Sequence, residues 1–220
     1  MTINGVIFDF DGTLADTLPL CIRAFRSSIE PHLGRSVSDA EIIATFGPAE
    51  EGTIKALIPN QYDAGVAAYL THYEQYHADY PDLFPGIQSL LTELQTKQVR
   101  LALVTGKGER SAVMSLQFYK LAPYFSAFGY GDLAVNSKTR NINRIVADWG
   151  LPPNEVLYVG DAPSDIVACR QAGVPIAAAA WASTAEPMVL ADMKPDALFE
   201  SVDAFRDWLL GRLPAQLASA

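Results

Sequence analysis

The sequence predicts an α/β fold, a Rossmann-like parallel sheet core with helices on both faces and a small α-helical domain inserted after strand 1. Three observations predict it. Short apolar runs at 6–8, 99–104, 156–159 and 174–179 alternate with segments of helical periodicity. Three of the runs end in a polar residue next to a glycine: Asp9-Phe10-Asp11-Gly12, Thr105-Gly106 and Gly160-Asp161. And residues 9–98 separate the first two runs, where a single crossover helix would suffice.

The first strand, Val6-Ile7-Phe8, stops at a glycine turn. Side chains two apart on a strand share a face, so Asp9 and Asp11 project together and Phe10 points the other way. Two carboxylates side by side at the end of an apolar strand require a proton or a cation between them. Gly12 lets the chain turn closely over whatever binds there, and Thr13 adds a hydroxyl. Alone, the stretch reads equally well as an Asp-Gly turn capping the next helix.

The insert is helical. Its first helix begins near Asp16-Thr17, tolerates Pro19 in its first turn and runs through Cys21, Ile22, Phe25 and Ile29. A second follows Ser38, with Glu41 completing a capping box. A third covers 50–57. The longest, 62–79, carries Tyr62, Val66, Tyr69, Leu70, Tyr73 and Tyr76 at helical spacing, read as the core of a small bundle. Pro81, Pro85 and Gly86 punctuate the return. The expected division is therefore 1–15 with 83–220 as the α/β core and 16–82 as the insert.

Strand and helix then alternate: a helix at 86–97, a strand at 99–105 and a helix at 108–118, followed by a short strand at 127–131 and a helix at 139–149. The strand 156–159 leads to a helix at 164–172 and another buried strand, 174–179. An edge strand at 197–199 precedes a final amphipathic helix, 202–213, and residues 214–220 read as frayed.

A net charge of −9 and a pI near 4.7 argue against nucleic acid or an anionic membrane as partner. They leave room for a small anionic substrate, because a metal reverses the potential locally. Cys21 and Cys169 offer neither a disulfide framework nor metal-ligand spacing. No signal peptide is read, and the apolar run 174–182 is too short to span a bilayer, so the cytoplasm is the expected compartment.

Ligands gather at the carboxyl ends of strands in open parallel sheets. Asp165 follows Asp161 by one helical turn, so both can face one point with Asp9 and Asp11. Four converging acids call for a divalent cation with oxygen ligands, and magnesium suits them. Thr105 also reads as a plain strand terminus, and Lys107 as surface. Lys138, placed just before the helix at 139, could reach over the acidic cluster. Arg23 reads as solvated, His32, His72 and His77 receive no role, and the loop 45–51 reads either as a connector or as a substrate-facing loop.

Asp9-Phe10-Asp11-Gly12-Thr13, Thr105-Gly106, Lys138 and Gly160-Asp161-Ala162-Pro163-Ser164-Asp165 resemble, in order and spacing, the four motifs of the haloacid dehalogenase-like (HAD) hydrolase superfamily. The resemblance covers essentially the whole chain and is greatest to the phosphoglycolate phosphatase-like branch, in which a helical cap is inserted after the first strand. Many relatives follow the third-motif lysine with proline. Here the run is Ser137-Lys138-Thr139-Arg140, which keeps Lys107 and Arg140 open as alternatives for the basic residue.

The resemblance implies a magnesium-dependent phosphatase acting on a small phosphorylated metabolite, such as phosphoglycolate or a sugar phosphate, as a monomer or homodimer without nucleic-acid or membrane partners. It implies Asp9 as nucleophile and Asp11 as acid and base. Asp9, the Asp11 carbonyl, Asp161 and Asp165 would be the metal ligands. Gly12, Thr105, Gly106 and Lys138 would hold the substrate, with Thr105 and Lys138 also assisting catalysis. A sugar-phosphate mutase, a haloacid dehalogenase proper and a phospho-accepting signalling module are the competing expectations.

Overall fold

The computed structural model describes residues 2–47, 49–133 and 137–214. The chain opens with β1 (Gly5–Phe8) and leaves for four helices: α1 (Leu18–Leu33), α2 (Asp39–Ile43), α3 (Glu50–Leu57) and α4 (Tyr62–Tyr76). It returns through α5 (Ile87–Thr96) to β2 (Arg100–Gly108), α6 (Glu109–Phe118) and β3 (Ala127–Gly131). Then come α7 (Ser137–Trp149), β4 (Val156–Gly160), α8 (Pro163–Ala172), β5 (Ile176–Ala179), α9 (Pro187–Asp192), β6 (Ala197–Phe199) and α10 (Val202–Leu210).

The six strands form one sheet in the order β3-β2-β1-β4-β5-β6, with every neighbouring pair parallel. Ile7 lies opposite Ala102 on one side and Tyr158 on the other, so β1, β2 and β4 end at the same edge. Strand order reverses at β1, which makes its carboxyl end the crevice where ligands bind in such sheets.

Both faces are covered, as a parallel sheet requires. Val6, Phe8, Leu103 and Val159 pack beneath Leu90 of α5 and Phe205 of α10. The alternate residues Ile7, Val104 and Tyr158 face Ile145 of α7 and Ile166 of α8. A separate apolar cluster joins Leu20, Phe25, Ile29, Ile54, Tyr69 and Tyr73, so the tyrosine spacing of α4 builds the core of the inserted bundle. At the crossing points, Ala15 and Leu83 form an isolated antiparallel bridge, and the Phe84 amide donates to the Leu14 carbonyl at 3.0 Å.

Several boundaries differ from expectation, each for a local reason. The helix read as 62–79 ends at Tyr76 and tightens into a 3-10 turn over His77–Asp79. The strand read as 99–105 continues to Gly108 through an irregular register with β3. That continuation depends on Gly131, where an added Cβ would lie 2.0 Å from the Gly106 carbonyl oxygen. Helix α7 begins at Ser137, so Lys138 sits inside its first turn instead of ahead of it. Helix α10 stops at Leu210, short of 213, and α9 had no counterpart in the sequence reading. The fraying read for 214–220 falls, beyond Pro214, outside the described residues, as does Pro48 within the loop 45–51. Among the described residues no helix is long and apolar enough to cross a membrane.

Candidate active site

Asp9 follows β1, with its amide tied to the Val159 carbonyl at 2.9 Å. The Phe10 amide donates to Asp9 Oδ1 at 2.7 Å, which fixes the carboxylate at the strand end. The amides of Thr13 and Leu14 both donate to the Phe10 carbonyl, coiling the chain into a tight turn. Gly12 stands there at φ +70°, and a Cβ on it would lie 2.1 Å from Asp161 Oδ2. Only glycine satisfies both the backbone and the neighbouring carboxylate.

One carboxylate oxygen from each of Asp9, Asp161 and Asp165 lies within 4.8 Å of the other two. Their surroundings differ. Asp161 is half-buried and, among the described residues, accepts one bond, from Thr13 Oγ1 at 3.1 Å. Asp165 is fully buried and accepts from Lys138 Nζ at 2.5 Å, Tyr158 Oη at 3.2 Å and the Ala162 amide at 3.0 Å. Lys138 Nζ also bonds Asp9 Oδ2 at 2.5 Å, so one ammonium spans the two acids. Burial pushes Asp9 up to about 6; Lys138 pulls it down and Asp165 adds to the rise. Burial, then Asp9, raises Asp161 well above the carboxylate range. Burial opposes the charge on Lys138, but Asp165 and Asp9 outweigh it and keep the ammonium protonated.

Asp11 turns toward a second cation. Its Oδ1 accepts from Thr17 Oγ1 at 2.5 Å and lies 3.3 Å from Lys107 Nζ. The Lys107 side chain is only 2% exposed and has Glu50 Oε1 at 3.6 Å, Cys21 Sγ at 3.3 Å and the Tyr73 ring centroid at 4.4 Å. Burial works against its charge, yet Asp11 and Glu50 hold it above its ordinary value. Burial, then Asp11, pushes the Cys21 thiol up to about 12, so it stays protonated.

Of the three basic residues considered for the third motif, Lys138 reaches Asp9 and Lys107 reaches Asp11. Arg140 is exposed and pairs with Asp132. Thr105 is buried, with its Oγ1 accepting from the Lys107 amide at 3.2 Å. Thr105 and Gly106 line the same cavity of about 650 Å³ as Asp9, Asp11, Lys138 and Asp161. Arg23 pairs with the exposed Asp79, and His77 is buried against Ser115 Oγ at 3.0 Å, neither of them lining that cavity.

The donor set fits a hard divalent cation, being all oxygen and short of positive charge. Asp161 is the carboxylate with most capacity left. Asp165 accepts three bonds that hold Lys138 and the 161–165 turn, and it still offers an oxygen within the same 4.8 Å group. Glu50, Thr17, Tyr158 and Trp181, whose Nε1 donates to the Thr13 carbonyl at 3.0 Å, support the site without having stood out in the sequence. Only Glu50 had a signal there, as part of the loop 45–51.

The fold is an α/β one with an acidic cluster bridged by a lysine at the carboxyl edge of its sheet, and the family match below makes it an enzyme of the phosphatase class. Residues 6–179 match the family model of the haloacid dehalogenase-like hydrolases. The chain belongs to that family. It is 28% identical over 204 residues to the pyrophosphatase PpaX of Oceanobacillus iheyensis, covering 92% of this chain and 94% of that one. It is 26% identical over 217 residues to the phosphoglycolate phosphatase of Chromobacterium violaceum, covering 93% and 97%. A haloacid dehalogenase-like hydrolase of Streptococcus pneumoniae superposes with a TM-score of 0.77 at 24% identity, over 94% of this chain and 98% of that one.

Proposed function

We propose that the protein is a magnesium-dependent phosphatase that hydrolyses a small phosphomonoester through an aspartyl-phosphate on Asp9. The observation that carries the reading is the division of labour at the end of β1. Asp9 belongs to the cluster with Asp161 and Lys138, while Asp11, two residues on, faces the same cavity but a separate lysine.

In the first step an Asp9 carboxylate oxygen attacks phosphorus and the ester P–O bond breaks, with Asp11 giving its proton to the departing alkoxide. In the second step Asp11 takes a proton from water, whose oxygen attacks the same phosphorus and releases phosphate and free Asp9. Thr105 Oγ1 and the Gly106 amide are suited to the phosphoryl oxygens, and Lys138 keeps Asp9 ionised and offsets charge as it gathers. Asp9, the Asp11 carbonyl and Asp161 would hold magnesium, with Asp165 fixing the turn that carries Asp161. The bound ion supplies charge neutralisation at the transferred phosphoryl group.

The same reading divides the chain into a core, 1–15 and 83–220, and a cap, 16–82, and the Ala15–Leu83 bridge at both crossings supports it. Two buried free thiols are in keeping with a reducing, cytoplasmic setting. The test is phosphate release from p-nitrophenyl phosphate. Turnover should require magnesium and vanish in Asp9→Asn, and normal turnover by that variant refutes the assignment.

A further inference from the structure

The cavity has two chemically different ends. The acids, Thr105, Gly106 and Lys138 crowd one end, where the phosphoryl group would sit. The remaining wall is mostly hydrocarbon: Leu18, Cys21 and Phe25 of α1, Phe46 after α2, and Val167 and Ala168 of α8.

Charge on that wall is already balanced or negative. Among the described residues, only two cations line the cavity. Lys138 is shared between Asp9 and Asp165. Lys107 is shared between Asp11 and Glu50, so two carboxylates surround one ammonium at the insert's side of the cavity. The arginines nearby are engaged elsewhere: Arg23 with Asp79, Arg26 with Asp39 and Arg110 with Glu51. Of the hydroxyls on Thr53, Ser137, Thr139 and Ser164 that line it, two are spent within the protein. Thr53 Oγ1 donates to the Thr45 carbonyl, and Thr139 Oγ1 donates to Gln171.

A leaving group with a second negative charge would therefore meet no free counter-ion. Even with Asp11 protonated to serve as the acid, Glu50 keeps Lys107 paired, and the second charge would sit in an apolar pocket where an unpaired charge is heavily penalised. A polyhydroxylated leaving group would lose water against that hydrocarbon and find few partners there, on Ser137, Ser164 and Gln171. An uncharged hydrocarbon group, by contrast, gains from every methylene it removes from water.

Resting on the phosphatase reading above, we propose that the substrate is a phosphomonoester of an apolar, uncharged alcohol, alkyl or aryl. This sets the chain apart from the relatives named for pyrophosphate and phosphoglycolate, both of which carry a second anionic group beyond the phosphoryl that is cleaved. Phe46, 40% exposed at the cavity wall, is the side chain best placed to cover the far end of such a group.

The experiment compares kcat/KM for ethyl, butyl and hexyl phosphate, with magnesium, against phosphoglycolate and pyrophosphate. Within the alkyl series the leaving-group acidity is nearly constant, so the trend reads contact with the pocket. The expected result is a rise of roughly three- to fourfold per methylene, with both anionic compounds roughly a hundredfold below butyl phosphate. A flat or falling series, or faster turnover of phosphoglycolate or pyrophosphate than of butyl phosphate, overturns the proposal. Phe46→Ala, at an exposed position that the core does not need, should lower the hexyl-to-ethyl ratio about tenfold. An unchanged ratio in that variant also counts against it. No phosphate release from any of the compounds would instead overturn the phosphatase reading itself, which separates the two failures.

Discussion

Asp9 carries the strongest conflict between folding and chemistry. An unfolded aspartate titrates near 3.8, while burial, resisted by Lys138 and reinforced by Asp165, brings this one to about 6 in the fold. Between those values the folded protein keeps a proton that the unfolded chain gives up. Protonated Asp9 thus favours folding at acid pH, and the contribution, on the order of a few kcal/mol, is lost as pH rises through 6. Asp161 is raised by the same burial and so acts in the same direction. A divalent cation reverses the preference because it binds the ionised form. Magnesium should therefore raise Tm little at pH 5 and progressively more up to about pH 7, and Asp161→Asn should reduce that gain throughout. A magnesium effect independent of pH from 5 to 8 would exclude Asp9 as part of the binding group. Asp11→Asn should spare the magnesium effect on Tm but lower kcat by about 10² to 10⁴. All four acids were singled out in the sequence because each closes a strand beside a glycine or follows one by a single helical turn, but the expected convergence of four holds for Asp9, Asp161 and Asp165, while Asp11 faces Lys107. What was not legible was that Asp165 accepts from three donors, since Tyr158 reaches it only once β4 and α8 are packed together.

At the scale of elements, the site depends on turns that admit no side chain. Gly12→Ala puts a residue at φ +70° and drives its Cβ into Asp161. The backbone cost alone is about 1–3 kcal/mol. For a chain of this length that lowers Tm by roughly 2–4 °C for each kcal/mol. The more telling result would be loss of the magnesium-dependent rise in Tm, because the displaced group is the carboxylate with most capacity for a ligand. Gly150→Ala, also at positive φ but with open space around its Cβ, is the control: a Tm loss of similar cause with the magnesium response intact. If both variants kept that response, the Gly12 turn would not be positioning Asp161. The succession of strands and helices along the chain followed closely from apolar rhythm and glycine punctuation, whereas the order of strands in the sheet was not read from it. The starts and stops of α7, α4 and β2 did not, because they depend on neighbours: β2 is prolonged by pairing with Gly131 of β3, a contact distant in sequence.

Across the whole molecule, the bundle and the sheet are joined by a buried polar contact at the roof of the cavity. Glu50, at the first turn of α3, accepts from the Gly108 amide and, at 2.5 Å, from Ser111 Oγ, and pairs with Lys107. Around it, Tyr73 Oη meets Ser115 Oγ at 2.8 Å and the Ala49 amide donates to the Asp132 carbonyl at 2.9 Å. No sequence pattern indicated this seam, because its partners lie about 60 residues apart in the chain. Burying an ammonium is costly, and its partners repay the cost only while both remain. Lys107→Met should therefore destabilise by about 3–5 kcal/mol, since it leaves Glu50 and Asp11 facing each other without a cation. Glu50→Gln keeps the acceptor for Gly108 and Ser111 while removing one of the two charges. Combined with Lys107→Met it should cost less than the sum of the single changes by about 2 kcal/mol, read from urea midpoints at constant m. If the two changes add within about 0.5 kcal/mol, the pair does not hold the insert to the sheet. The closed arrangement would then rest on the Arg110–Glu51 pair and the tyrosine and backbone contacts.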